Sequence, residues 1–240
     1  MSSPEFAGGP DPNPPSEAAT VACLRSGMDG PEVLLLRRSP KGAFGGMWVF
    51  PGGKVDPGDW GPGDDEIAAA RNAAIREAAE EAAVIIEPSA VVTLSFWLAP
   101  PEATRRFSTW FFLAPVIGQD PIVLSREEVG DHRWVRAAEM LATHAAGQVQ
   151  LAPPTWVTLK WLSSHASVDD ALRAASGAEP ERYLTHAVLD EGGDLVCTLW
   201  EGDVAYEDLD LDPARPGPRR RLTAGRRGWR LLLDPLLEDL

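Results

Sequence analysis

Apolar positions along the chain fall into short dense runs broken by Gly, Pro and Asp. Residues 18–26 (AATVACLRS) and 32–38 (EVLLLRR) predict two strands split by the turn-forming GMDGP. The segment KGAFGGMWVFPGGKVDPGDWGPGDD has one apolar run, MWVF, and predicts loop, short strand, loop. From Glu66 to Val84 the sequence EIAAARNAAIREAAEEAAV is rich in strong helix formers, with Asp64 or Asp65 placed to cap its start. Residues 90–98 and 105–117 predict two long strands, HRWVR a short strand and AAEMLATHAAG a short helix. Residues 153–165 open on two prolines and predict a further helix. YLTHAVL and DLVCTLW, either side of DEGG, predict a hairpin. This order predicts a mixed β-sheet with helices on its faces, an α/β layered fold. No internal repeat or dividing linker is visible.

Charge changes the picture. Against 22 Lys and Arg stand 36 Asp and Glu, a formal net charge of −14. Non-specific binding to nucleic acid or to an anionic membrane needs a basic surface, so neither is expected. No apolar run is long enough for a membrane-spanning helix. The N-terminal MSSPEFAGGPDPNPPSEAA has neither the basic nor the apolar region of a secretory signal and predicts a flexible tail over 1–17. The two cysteines, Cys23 and Cys197, lie in apolar strand-like runs and are expected as buried reduced thiols in a cytoplasmic protein. One local reversal stands out: residues 215–230 hold seven arginines. They suit a second phosphate or, more simply, internal pairing with the many carboxylates.

Candidate chemistry concentrates in Arg76-Glu77-Ala78-Ala79-Glu80-Glu81. On a helix, Glu77, Glu80 and Glu81 stand at i, i+3 and i+4 and share one face. Three carboxylates there repel unless a cation offsets them, and hard Mg²⁺ or Mn²⁺ prefers such oxygen donors. Alone the cluster also suits a solvated acidic face. Upstream, Phe50-Pro51-Gly52-Gly53 puts two glycines between a short strand and this helix. Glycine permits close backbone approach, which suits a phosphate beside a metal.

These residues resemble the Nudix hydrolase family, whose signature joins a leading glycine to Arg-Glu and Glu-Glu pairs. Gly53 matches that glycine, Arg76, Glu77, Glu80 and Glu81 match the pairs, and Val84 matches the closing aliphatic residue. The likeness spans residues 18–147. It implies a Nudix-type α/β/α sandwich with a mixed β-sheet, and leaves 148–240 as a C-terminal extension packed on that core. Twenty-two residues separate Gly53 from Arg76, an insertion around DWGPGDD that leaves Asp59 and Glu66 as candidates for the signature's middle glutamate. Ala83 stands where the signature has glycine. The long insertion and the strand RRFSTWFFLAP are similar to a subgroup of peroxisomal coenzyme A diphosphatase-like proteins. Arg37 fits that subgroup's upstream fingerprint, whereas Gly42 replaces a basic residue in it.

The resemblance implies Mg²⁺- or Mn²⁺-dependent cleavage of a phosphoanhydride bond in a small-molecule nucleotide-diphosphate substrate. Coenzyme A-like substrates are favoured, with ADP-ribose or a dinucleotide as alternatives. Glu77, Glu80 and Glu81 would hold the metal. Glu80, Glu81 or a later-loop residue, Glu127 or Glu128, would serve as base. Gly52, Gly53, Arg37 and Arg106 would meet substrate, and either Arg105 or Arg106 could contact phosphate from the strand start. Arg76 is expected to pair with an acidic loop residue. Most of Trp48, Trp97, Trp110 and Trp134 are expected in the core. A homodimer is left open. The competing class is a non-catalytic Nudix-fold module that binds a nucleotide and regulates; retention of all three glutamates favours the enzyme.

Overall fold

Strand β1 (Ser16–Gly27) is buried from Ala18 to Leu24, the pattern of a strand covered on both faces. It pairs in parallel with β6 (Phe107–Pro115) along one edge. Its other edge is shared between two antiparallel partners, β4 (Gly52–Lys54) early and β2 (Gly30–Arg38) late. The computed structural model describes residues 13–40, 44–116, 122–125, 129–225 and 228–233. Among these, β3 (Trp48–Val49) and β7 (Val129–Arg136) pair with β2, and β5 (Val92–Leu98) is antiparallel to β6. The sheet does not end at β5. Strand β8 (Glu181–Leu189) joins β5 in parallel and carries β9 (Leu195–Trp200), β10 (Arg220–Gly225) and β11 (Gly228–Leu233) as antiparallel neighbours. The order is β11-β10-β9-β8-β5-β6-β1-β2-β3. The C-terminal third therefore widens the sheet itself, and β1 begins at Ser16, inside the stretch predicted as tail.

Helices cover both faces. Helix α1 (Glu66–Ala82) starts where the Asp65 side chain accepts the Ala68 N–H at 2.9 Å, satisfying one orphan donor of the first turn. Its inner face is Ala70, Ala73, Ala74, Ala78 and Ala82, whose small side chains let the helix lie close on Val21, Leu34 and Phe112. The opposite face carries α2 (Ala137–Ala145), α3 (Pro153–Leu162) and α4 (Val168–Ser176). There Met140, Trp156, Leu159 and Ala171 pack on Leu24, Leu35, Trp97 and Phe111. This is the expected α/β/α layering. Helix α4 has no counterpart in the sequence reading.

Cys23 and Cys197 are buried and unpaired, and burial pushes their thiols up to about 12 and about 11. Trp48, Trp97 and Trp110 are buried, while Trp134 is half-buried beneath the Arg25 guanidinium. Three arginines of the arginine-rich segment are paired internally. Arg221 forms a buried pair with Asp203, Arg220 meets Glu181, and Arg215 lies 2.7 Å from Asp208. Burial disfavours the Asp203 charge, yet bonds from Arg221 and from the Ala205 and Arg220 N–H groups outweigh it and hold the carboxyl below the ordinary range. Among the described residues no helix is long and apolar enough to cross a membrane.

Candidate active site

The glycines of PGG are fixed by their neighbours. Pro51 ends the approach to β4, its carbonyl accepting the Val21 N–H at 3.0 Å and the Thr20 hydroxyl at 2.7 Å. A Cβ on Gly52 would lie 2.3 Å from the Ala19 carbonyl oxygen, and one on Gly53 would lie 2.3 Å from a Glu77 carboxylate oxygen. A side chain at Gly52 would collide with the backbone of β1, and one at Gly53 would displace the Glu77 carboxylate, which reaches the loop backbone from α1.

The three glutamates of α1 fan around this contact. Glu81 is 2% exposed. It accepts the Gly52 N–H at 2.9 Å and pairs with Arg38 at 2.6 Å. Arg38 also donates to the Gly52 carbonyl at 2.5 Å, closing a ring of helix carboxylate, strand arginine and loop backbone. Glu77 is half-buried against Gly53 and 2.8 Å from Arg76. Glu80 is exposed and 3.1 Å from Arg76. Among the described residues no three acidic, His or Cys side chains are already drawn together as a ligand set. The donor chemistry nonetheless fits a hard divalent cation: all three groups are carboxylates, two abut Gly52 and Gly53, and all already attract arginine cations.

Arg76 also clamps the inserted loop. Its guanidinium bonds Asp59 through Nε at 3.0 Å and Nη2 at 2.9 Å, and donates to the Lys54 carbonyl at 3.0 Å. The Arg76 bond is the main reason that the Asp59 carboxyl lies below its ordinary range. Desolvation opposes it, and the Asp56 N–H supports it. Of the two candidates for the signature's middle carboxylate, Asp59 meets the arginine, while Glu66 opens α1. Asn72 ties the same loop to the helix through the Asp59 carbonyl at 2.9 Å. Trp60, the loop's aromatic residue, is 43% exposed.

Beside the glycines opens a cavity of about 600 Å³, within the usual range for small-molecule sites. Among the described residues its charged lining side chains are Arg38, Lys54 and Arg105, with no Asp or Glu. In a protein of net charge −14, that is a strong local inversion.

Of the four arginines Arg37, Arg38, Arg105 and Arg106, two line the cavity and two do not. Arg37 is exposed and does not line the cavity; its neighbour Arg38 does. Arg106 is 5% exposed and spends its guanidinium on the Ala99 carbonyl at 3.0 Å and the Asn13 carbonyl, which ties the start of β6 to nearby chain; Arg105 faces the cavity instead. Arg37 and Arg38 close β2 at an irregularity in its pairing with β7, and Arg105 and Arg106 precede β6, so neither pair lies in regular strand. Gly52 and Gly53 line the cavity. Lys41, Gly42, Glu127 and Glu128 lie outside the described residues. The flanks of the last pair are placed: the Ser125 N–H bonds the Glu81 carbonyl at 3.1 Å, and the Val129 N–H bonds Ser125. Sequence reading missed Lys54, the residue immediately after the PGG motif, although its charge and its place beside the glycines were available.

A diphosphate-cleaving hydrolase class is defined by this fold with its glycine-lined contact and glutamate helix, and the chain belongs to the NUDIX domain family, which matches residues 16–154, more than half its length. A Caenorhabditis elegans protein named as a nudix hydrolase is 24% identical over 230 residues, covering 81% of this chain and 75% of that one. A human acyl-coenzyme A diphosphatase is 30% identical over 123 residues, 49% of this chain but only 32% of the human protein. The crystal structure of a NUDIX hydrolase from Alicyclobacillus acidocaldarius superposes with a TM-score of 0.63 at 23% identity, covering 70% of this chain and all of that one; this likeness is one of fold.

Proposed function

We propose that this hydrolase cleaves the diphosphate of a coenzyme A-type or related nucleoside diphosphate derivative, with a divalent metal held by Glu77, Glu80 and Glu81. The observation that carries this reading is the cationic, carboxylate-free lining of the cavity next to the glutamate helix. Bound Mg²⁺ or Mn²⁺ would offset phosphate charge and acidify a coordinated water. The chain's own groups do the rest. Gly52 and Gly53 let a phosphate approach the backbone, and Arg38, Lys54 and Arg105 draw in the anionic substrate. Arg38 is the natural bidentate partner, since it already binds a carboxylate and a carbonyl together. A carboxylate, from Glu80, Glu81 or Glu128, accepts the proton of the attacking water, and the P–O–P bridge breaks into two phosphate monoesters. The human relative's name, an acyl-coenzyme A diphosphatase, supports the substrate class.

The test compares kcat/KM for coenzyme A, ADP-ribose and dGTP with purified protein under one Mg²⁺ condition. Coenzyme A is expected to lead. A tenfold advantage for dGTP, about 1.4 kcal/mol of differential transition-state binding, overturns the substrate class.

A further inference from the structure

The cavity is not built by the family domain alone. Its cations, Arg38, Lys54 and Arg105, lie on β2, on β4 and just before β6. Its far wall is Thr185 and Ala187 of β8 with Leu195 and Thr198 of β9, all beyond the 16–154 family match and none charged. In the sheet, β4 and β9 are separated by β1, β6, β5 and β8. Five inter-strand steps of about 4.8 Å put the two ends roughly 24 Å apart. Between them the floor is aromatic, with Phe107 and Phe111 of β6 and Trp97 of β5. Trp97 is held flat by Tyr183 of β8, their rings stacked at 3.8 Å. One diphosphate group anchored at the cationic end leaves this aromatic trough and the far wall to the rest of the substrate.

We infer that the β8–β9 wall is a specificity subsite for an uncharged, largely apolar chain attached to the diphosphate. This rests on the diphosphatase reading and adds which part of the molecule reads the substrate's far end. A second nucleotide or a further phosphate is disfavoured there, because nothing in that wall supplies a positive charge, and burying an unpaired anion against Ala187 and Leu195 is costly. Among the described arginines of 215–230 none lines the cavity, and Arg215, Arg220 and Arg221 are each engaged with an acid.

The experiment uses the full chain with Leu195→Glu and, as a bulky neutral change, Ala187→Phe; both positions are only partly buried. Circular dichroism and melting confirm folding. Steady-state kinetics are measured with octanoyl-coenzyme A, coenzyme A and ADP-ribose. KM for octanoyl-coenzyme A should rise at least tenfold in both variants with kcat within twofold, while ADP-ribose kinetics stay unchanged. Equal effects on octanoyl-coenzyme A and ADP-ribose, or none on either, overturn the subsite. If the wild type hydrolyses none of the three, the catalytic reading fails separately. Calorimetric binding of octanoyl-coenzyme A then decides the subsite: tenfold weaker binding to Leu195→Glu supports it, and unchanged binding overturns it.

Discussion

Arg76 grips both carboxylate oxygens of Asp59, at 3.0 and 2.9 Å, from seventeen positions further along the chain. Asp59 is 6% exposed, so the inserted loop is anchored by a nearly buried charge pair and not by its aromatic residue, Trp60. Asp59→Ala leaves the Arg76 guanidinium without its main partner and should cost about 3 kcal/mol, the scale of breaking a buried pair. For a chain of this size the melting temperature should fall by roughly 6–12 °C. Trp60→Ala, at an exposed site, should stay within about 0.5 kcal/mol. Chemical denaturation of both variants checks the contrast.

Acid should weaken the same anchor. The folded Asp59 carboxyl lies below its ordinary range, so its contribution is complete above the unfolded value near 3.9 and is lost as pH falls through the folded value. Wild type should therefore exceed Asp59→Asn in stability by a constant margin from about pH 5 to 7. That margin should shrink below about pH 4. A margin independent of pH down to 2 would contradict the pairing.

Glu81 is the glutamate that the fold itself holds in place. Glu81→Gln can keep an acceptor for the Gly52 N–H but loses the charge. Diphosphate hydrolysis should fall at least about 100-fold in kcat/KM, about 2.7 kcal/mol, with the circular dichroism spectrum retained. Full activity in a Glu80→Gln, Glu81→Gln double variant would remove the carboxylates from the mechanism.

Divalent metal should raise the melting temperature, because only the folded chain sets the three glutamates along one helix beside Gly52 and Gly53. At a hundredfold excess over Kd the gain is about 2.7 kcal/mol, on the order of 5–11 °C. Glu80 is exposed, so Glu80→Gln should barely alter the melting point in EDTA while shrinking the Mg²⁺-induced rise. Coincident melting curves for wild type in EDTA and in millimolar Mg²⁺ would refute the site.

Helix α1 ends in a left-handed residue, Ala83, at φ 55° and ψ 29°, whose N–H returns to the Ala79 carbonyl at 3.0 Å. A side chain in that conformation costs about 1 kcal/mol relative to glycine. Ala83 is exposed, so Ala83→Gly relieves strain and removes no buried contact; it should stabilise the protein by about 1 kcal/mol in denaturant titration.

The glutamate helix and the glycine loop were legible because each depends on local chemistry: alanine and glutamate propensity for α1, an aspartate cap at its start, and paired glycines where backbone must approach side chain. The strands of the family domain were legible as apolar runs. Which arginine faces the cavity was not. LLLRR is apolar on both faces, so no alternation marks which of Arg37 and Arg38 points toward Glu81, and the adjacent Arg105 and Arg106 pose the same problem. The motif left Asp59 and Glu66 as equal candidates; only the folded loop shows that Asp59 is the acid that reaches Arg76. The hairpin of β8 and β9 was visible, but its attachment to β5 depends on a parallel pairing across more than eighty residues, which no local pattern encodes.

That attachment has a consequence for how the polypeptide can be divided. Strand β5 would be an outer edge if the chain stopped at the family boundary, presenting an open row of amide and carbonyl groups beside Phe96, Trp97 and Leu98. Such an edge recruits other strands. The C-terminal strands thus act as a seal as well as a wall, and a shortened polypeptide ending near residue 154 should emerge as an edge-to-edge aggregate, however complete its catalytic motif.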